Sequence, residues 1–140
     1  MIVWDTNVVS ELMRPDPNGQ VVVWADRQPA SEVFITAITL AELWFGIGRL
    51  PIGRRRNELA EVFDDMLTED FERRVLDFDR VAAAHYGDLV VDRERKGRPI
   101  SMADAQIAAI CRSHGATIAT RNVDDFADVG VEVVNPWGAA

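Results

Sequence analysis

The chain is most informative in what it lacks. It has one cysteine, Cys111, so no disulfide can form within it, and the apolar helical pattern around that residue makes it small core filler. Lys96 is the only lysine, and every other cation among the 15 is arginine. No apolar run approaches the roughly 18 residues of a membrane-crossing helix. The opening Met1-Ile2-Val3-Trp4-Asp5 has neither a basic n-region nor a long apolar h-region, and with the lone thiol this points to the cytosol. Internal repeats and low-complexity stretches are missing. No G-x-G-x-x-G or Walker loop is present, which argues against dinucleotide and P-loop nucleotide binding. No His-x-Glu or Cys-x-x-Cys spacing points to zinc, and His85 and His114, isolated in helical stretches, read as structural or surface residues.

What is present is the composition of one soluble globular domain, spanning residues 1–140, with 48% apolar and 27% charged residues. The formal charge is −8. That balance argues against a conventional nucleic-acid binder, whose affinity comes from cations releasing counterions. The arginines nonetheless cluster, at Arg54-Arg55-Arg56, at Arg73-Arg74 and along Arg93-Glu94-Arg95-Lys96-Gly97-Arg98. Arginine suits bidentate phosphate contact, and solvated helix faces are the structural alternative. An excess of carboxylates also marks sites where a divalent cation offsets their repulsion.

Short apolar segments at 1–5, 33–35, 75–78, 117–119 and 131–134 read as buried strands. Helical patterns separate them. Asp5-Thr6-Asn7 opens one that Pro15 and Pro17 stop, and residues 18–28 form another around Val21 and Trp24. Thr39 begins a third with Leu40, Leu43 and Trp44. Residues 54–69 put Leu59, Val62, Phe63, Met66 and Leu67 on one face. Arg80 to Lys96 forms a long helix with Val81, Tyr86, Leu89 and Val90 inward and Gly97 as its terminator. Ser101 caps the last, with Ile107, Ile110 and Cys111 inward and Gly115 at its end. This alternation predicts an α/β fold, a three-layer α/β/α sandwich around a mainly parallel sheet of about five strands.

In such sheets ligands bind beyond the carboxyl ends of the strands. Asp5 ends the first strand, and Glu42 lies in the first turn of the helix after the second. Asp104 opens the helix before the fourth strand, and Thr120-Arg121-Asn122-Val123-Asp124-Asp125 follows that strand. Each has a structural use as well. Thr39-x-x-Glu42 and Ser101-x-x-Asp104 match the capping box, Asp5 can cap the helix it precedes, and Asn122 can make an Asx turn. The functional argument is convergence. Three carboxylates at one sheet edge repel unless protonated or metal-bound. Oxygen-only ligands suit Mg²⁺ or Mn²⁺, and a water polarised by such an ion is a nucleophile for phosphodiester hydrolysis. Two other readings of an aspartate after the first strand fail. A haloacid-dehalogenase-type phosphatase needs a second aspartate where Asn7 stands, and a receiver domain needs a lysine after a late strand.

Four segments, in order, resemble the motifs of PIN domains: Ile2-Val3-Trp4-Asp5-Thr6-Asn7-Val8-Val9-Ser10-Glu11-Leu12, Ile38-Thr39-Leu40-Ala41-Glu42-Leu43 with Gly46, Ser101-Met102-Ala103-Asp104-Ala105-Gln106-Ile107-Ala108-Ala109, and Thr120-Arg121-Asn122-Val123-Asp124-Asp125-Phe126. The details resemble the VapC toxins of bacterial type II toxin–antitoxin pairs, in the FitB-like branch. The resemblance implies a Mg²⁺- or Mn²⁺-dependent endoribonuclease. It makes Asp5, Glu42 and Asp104 the metal-site acids, with Asn122 beside them in catalysis. Thr6, Asn7, Thr120 and Asp125 become supporting groups. It also implies a homodimer neutralised by a small antitoxin, with Val22, Val23, Trp24, Trp44 and Phe45 as apolar surface for those contacts. RNA would approach along the arginine clusters. The fourth motif departs from the family pattern, because Asn122 stands where many PIN domains carry aspartate. That leaves open one ion or two, and a catalytically inactive PIN-like module that works by binding its partner.

Overall fold

Residues 1–138 are described by a computed structural model. Five short strands, β1 (Ile2–Trp4), β2 (Val33–Thr36), β3 (Val75–Leu76), β4 (Thr117–Ala119) and β5 (Val133–Val134), form one sheet in the order β3-β2-β1-β4-β5, every pair parallel. Parallel neighbours cannot be joined by a hairpin, so helices cross over between them. These are α1 (Thr6–Leu12), α2 (Gly19–Asp26), α3 (Ala37–Gly48), α4 (Arg54–Glu69), α5 (Arg80–Arg95) and α6 (Met102–His114).

Side chains alternate across each strand and supply two cores. Val3 and Ile118 pack with Leu89 of α5 and with Ala105, Ile107, Ala108 and Cys111 of α6. Ile2, Trp4, Val33 and Ile35 face the other way, against Val9 of α1, Leu43 and Ile47 of α3 and Phe63 of α4. The expected three layers are therefore present. Cys111 is fully buried, as expected, and burial pushes its thiol up to about 12. The expected domain end at residue 140 lies outside the described residues.

The strand order places a switch point between β1 and β4. From β1 the chain runs on to β2 on one side, while β4 lies on the other. Trp4 pairs with Ala119, and the Asp5 amide donates to the Ala119 carbonyl at 2.9 Å. Asp5 and Thr120 therefore leave the sheet side by side, at the crevice where α/β sheets bind ligands.

Several local expectations need correcting. The cap of α3 is Thr36, whose hydroxyl accepts from the Thr39 amide at 3.1 Å. Thr39 lies one turn inside the helix, so Glu42 follows the first turn and no Thr39–Glu42 capping box forms. On α5 the inward stripe runs Ala82, Tyr86, Leu89, Arg93, and Val81 is half exposed. At 100° per residue Val81 falls off that stripe. Val62 is exposed on α4 for the same reason, while Phe63 is fully buried. The fifth strand shrinks to two residues, and Phe78 lies beyond β3, edge-on to Tyr86.

Candidate active site

Asp5 is the N-cap of α1 and only 4% exposed. One carboxylate oxygen accepts from the Thr6 amide at 2.8 Å, and the other accepts from the Thr120 hydroxyl at 2.7 Å. A cap is normally solvated. Here the strand delivers it under the switch-point crevice, where burial raises its pKa to about 6 against the pull of those two hydrogen bonds. The charges of Asp104 and Glu42 push in the same direction as burial.

Thr6 ties Asp5 to α3. Its hydroxyl donates to Glu42 Oε1 at 2.6 Å and stands 3.1 Å from the Thr39 hydroxyl, which in turn lies 3.4 Å from Thr36. A row of hydroxyls, two of them fully buried, thus aims an exposed glutamate at the crevice. On the β4 side the Asn7 carboxamide donates to Thr120 at 3.2 Å and accepts from the Arg121 amide at 3.3 Å. The Asn122 amide donates to Thr120 at 3.0 Å. Thr6 and Thr120 therefore hydrogen-bond Asp5, Thr6 also bonds Glu42, and Asn7 braces Thr120.

Asp104 sits in the first turn of α6, where its amide donates to the Ser101 hydroxyl at 3.2 Å. Partial burial raises its pKa, as do the charges of Asp125 and Glu42, while Ser101 and Arg93 oppose the rise. Asp125 thus reaches the site through its field. Asn122 is exposed and joins the network through its backbone alone.

Sequence reasoning missed Arg93. It is 4% exposed and, among the described residues, pairs with no acid. Its guanidinium donates to three carbonyls: Arg98 at 2.7 Å, and Asp125 and Ala127 at 3.0 Å each. It pins the turn after β4 from behind. The signal was available, since the 82-86-89-93 stripe ends on an arginine where an apolar residue belongs. Other members of the arginine clusters are paired with acids at the surface. Arg98 bonds Asp128 at 2.9 Å and Lys96 bonds Asp92 at 2.9 Å. Arg54 is likewise paired with Glu58 at 2.7 Å.

Among the described residues, no three His, Cys, Asp or Glu side chains converge at metal-ligand spacing. The acids stand at separate stations around the crevice. The donor set is nonetheless all oxygen and includes a buried carboxylate repelled by two others, which is the chemistry a hard divalent ion relieves. Mg²⁺ commonly takes only one or two carboxylates and keeps several waters. The residues present fit such an ion.

A doubly wound parallel sheet with this acid set at its switch point defines a class. The chain belongs to the PIN domain family, whose family model matches residues 2–132. Within it, the toxin FitB of Neisseria gonorrhoeae is 40% identical over 137 residues, covering 98% of this chain and 99% of that one. The VapC ribonuclease Y4jK of Sinorhizobium fredii is 39% identical over 140 residues, covering both chains fully. Among solved structures, FitAB bound to an IR36 DNA fragment matches with a TM-score of 0.93 at 38% identity, covering 100% of this chain and 98% of that one. The resemblance read from the four motifs is borne out.

Proposed function

We propose that the chain is a Mg²⁺- or Mn²⁺-dependent endoribonuclease, the toxin of a toxin–antitoxin pair acting in the cytoplasm. The observation that carries this reading is Asp5, a buried carboxylate fixed at the switch point within the field of two further acids. Relatives named as a ribonuclease and a toxin support the reaction class.

Asp5, Glu42 and Asp104 would hold the ion, which would polarise water for attack on a phosphodiester and offset charge on the phosphate. Thr6 and Thr120 lock both oxygens of Asp5, so the carboxylate meets substrate without reorganising. Glu42, exposed and bonded by Thr6 at 2.6 Å, would keep its other oxygen for the ion or for a proton from water. Asn122 faces solvent beside them and offers an uncharged carboxamide to the phosphate.

For the antitoxin, an apolar groove runs between the end of α1, the end of α3 and α4. Met13, Pro15, Leu43, Ile47 and Leu59 line it, in adjoining clefts of about 300 and 640 Å³. Arg14 and Arg55 also line it beside Glu58, so an apolar antitoxin face would suit the groove, while the antitoxin's basic groups would suit the −8 charge of the rest of this chain. The expected apolar surface is divided. Val23, Trp44 and Phe45 are exposed and available to a second copy, whereas Trp24 packs on Trp4 at 6.2 Å.

A second reading, a partner-binding module without catalysis, draws on the separated acids and on Asn122. Cleavage of a mixed RNA pool by purified, partner-free protein decides between them, run with Mn²⁺, with Mg²⁺ and with EDTA beside Asp5→Asn. Cleavage that needs both metal and Asp5 is expected. Full activity in a folded Asp5→Asn variant overturns the nuclease reading.

A further inference from the structure

We propose that Arg121, backed by Trp137, forms a nucleobase-stacking subsite that seats the nucleotide beside the scissile phosphate. This rests on the endoribonuclease reading and adds the group that grips the substrate. The Arg121 guanidinium carbon lies 5.2 Å from the centre of the Trp137 ring. Arg121 is exposed, and among the described residues it forms no ion pair. It borders an open cleft of about 510 Å³, shared with Asn122, Asp124, Asp125 and Asn135.

Three features point to a base. A guanidinium within cation–π distance of an aromatic ring presents cationic and aromatic surface together, and single-stranded RNA bases stack on arginine planes and aromatic rings alike. The carboxamides of Asn122 and Asn135 offer both donors and acceptors to a base edge. The position is also fixed to the chemistry. The Arg121 amide bonds Asn7, and Asn7 bonds the Thr120 that holds Asp5. Trp137 is held in turn by its amide on Asn135 Oδ1 at 2.9 Å. The rest of the acid edge carries negative charge, and its other nearby cations are engaged, Arg93 buried against carbonyls and Arg98 paired with Asp128 at 2.9 Å. Among the described residues Arg121 is therefore the exposed cation without an acid partner that this edge presents to RNA.

The test is steady-state cleavage of a short labelled single-stranded RNA by wild type, Arg121→Ala, Arg121→Lys and Trp137→Ala, with thermal unfolding to confirm folding. Arg121→Ala should raise KM roughly tenfold with kcat within about twofold, as loss of one stacked base predicts. Trp137→Ala should move KM in the same direction. Arg121→Lys should fail to restore it, because an ammonium has no plane. With the cleavage site mapped, an abasic nucleotide next to it should cost wild type as much as Arg121→Ala does, and cost that variant nothing further. An unchanged KM in folded Arg121→Ala overturns the subsite, as does full rescue by lysine or additive losses with the abasic RNA. If wild type cuts no RNA under any divalent ion, the nuclease reading fails alone. Anisotropy binding of the same RNA then decides the subsite. Weakened binding in Arg121→Ala upholds it. Equal binding, or none by wild type, overturns it, and so does an effect confined to antitoxin affinity.

Discussion

The two sides of the crevice are built by opposite means. On the β1 side the side chains themselves are fixed: both oxygens of Asp5 are engaged, and Thr6, Thr39 and Thr36 line up behind Glu42. On the β4 side the backbone is fixed and the side chains are free. Arg93 and Thr120 hold the turn by its carbonyls and amides, and Asn122, Asp124 and Asp125 point outward, exposed. Groups that must meet a reacting atom without reorganising belong on the first side. Groups that choose a substrate tolerate the second, where a side chain can change without moving the turn.

Removing the backbone anchor should have the largest effect. Arg93→Met keeps the stem packed but leaves three carbonyls without their donor. Loss of roughly 3–4 kcal/mol of stability is expected, together with loss of cleavage as the 121–127 turn comes free. Chemical denaturation with parallel activity measures both. Near-wild-type stability would mean that water replaces the guanidinium, and that the β4 side is not anchored this way.

The next effect belongs to Asp5. Its folded pKa, about 6, lies above its ordinary 3.8, so the protonated form is the better folded one. The stability it confers is complete below pH 4 and is lost as pH rises through 6. The loss amounts to about 3 kcal/mol by linkage. Metal-free protein should show this decline in urea midpoints between pH 4 and 7. Asp5→Asn should flatten it, and added Mg²⁺ at pH 7 should recover part of it. A flat profile in metal-free wild type would show that Asp5 is solvated.

Much of this frame was legible in sequence, because short apolar strands alternating with amphipathic helices admit few arrangements. Asp5, Glu42, Asp104 and the 120–125 turn were placed at one edge by the rule that strand ends meet at the switch point. The failures were local and had physical causes. The α3 boundary differs by a turn because Thr36 and Thr39 are equally good caps on paper and both are buried, and only the extended backbone of Thr36 and its acceptance of the Thr39 amide tell them apart. Arg93 reads in sequence as either a phosphate contact or part of a solvated face, because composition cannot show that its partners are the backbone carbonyls of Arg98, Asp125 and Ala127. The convergence of the acids to ligand spacing was an expectation of motif reading that the described side chains do not meet.

Thr120 is where the two sides touch. Its hydroxyl donates to Asp5 and receives Asn7 and the Asn122 amide. Thr120→Val should cost roughly 1.5–3 kcal/mol, the value of a buried hydrogen bond to a charged partner. It should also raise the Asp5 pKa further, because that bond opposes the effect of burial. The acid limb of the cleavage pH profile should therefore move to higher pH. An unmoved limb alongside lost stability would separate the structural role of Thr120 from any electrostatic one.

The smallest effect on stability, and the sharpest on chemistry, is expected from Asn122→Asp. The residue is exposed and its side chain caps nothing, so stability should change by less than about 0.5 kcal/mol. The variant restores a carboxylate at the one position of the fourth motif where the chain departs from the PIN pattern. If the free side chains of the β4 side tune the site without building it, Mn²⁺ titration of this variant should saturate at lower concentration, while Asp5→Asn in the same background stays inactive. If the added charge instead rescues Asp5→Asn, the two sides are interchangeable, and the division between fixed chemistry and free tuning does not hold.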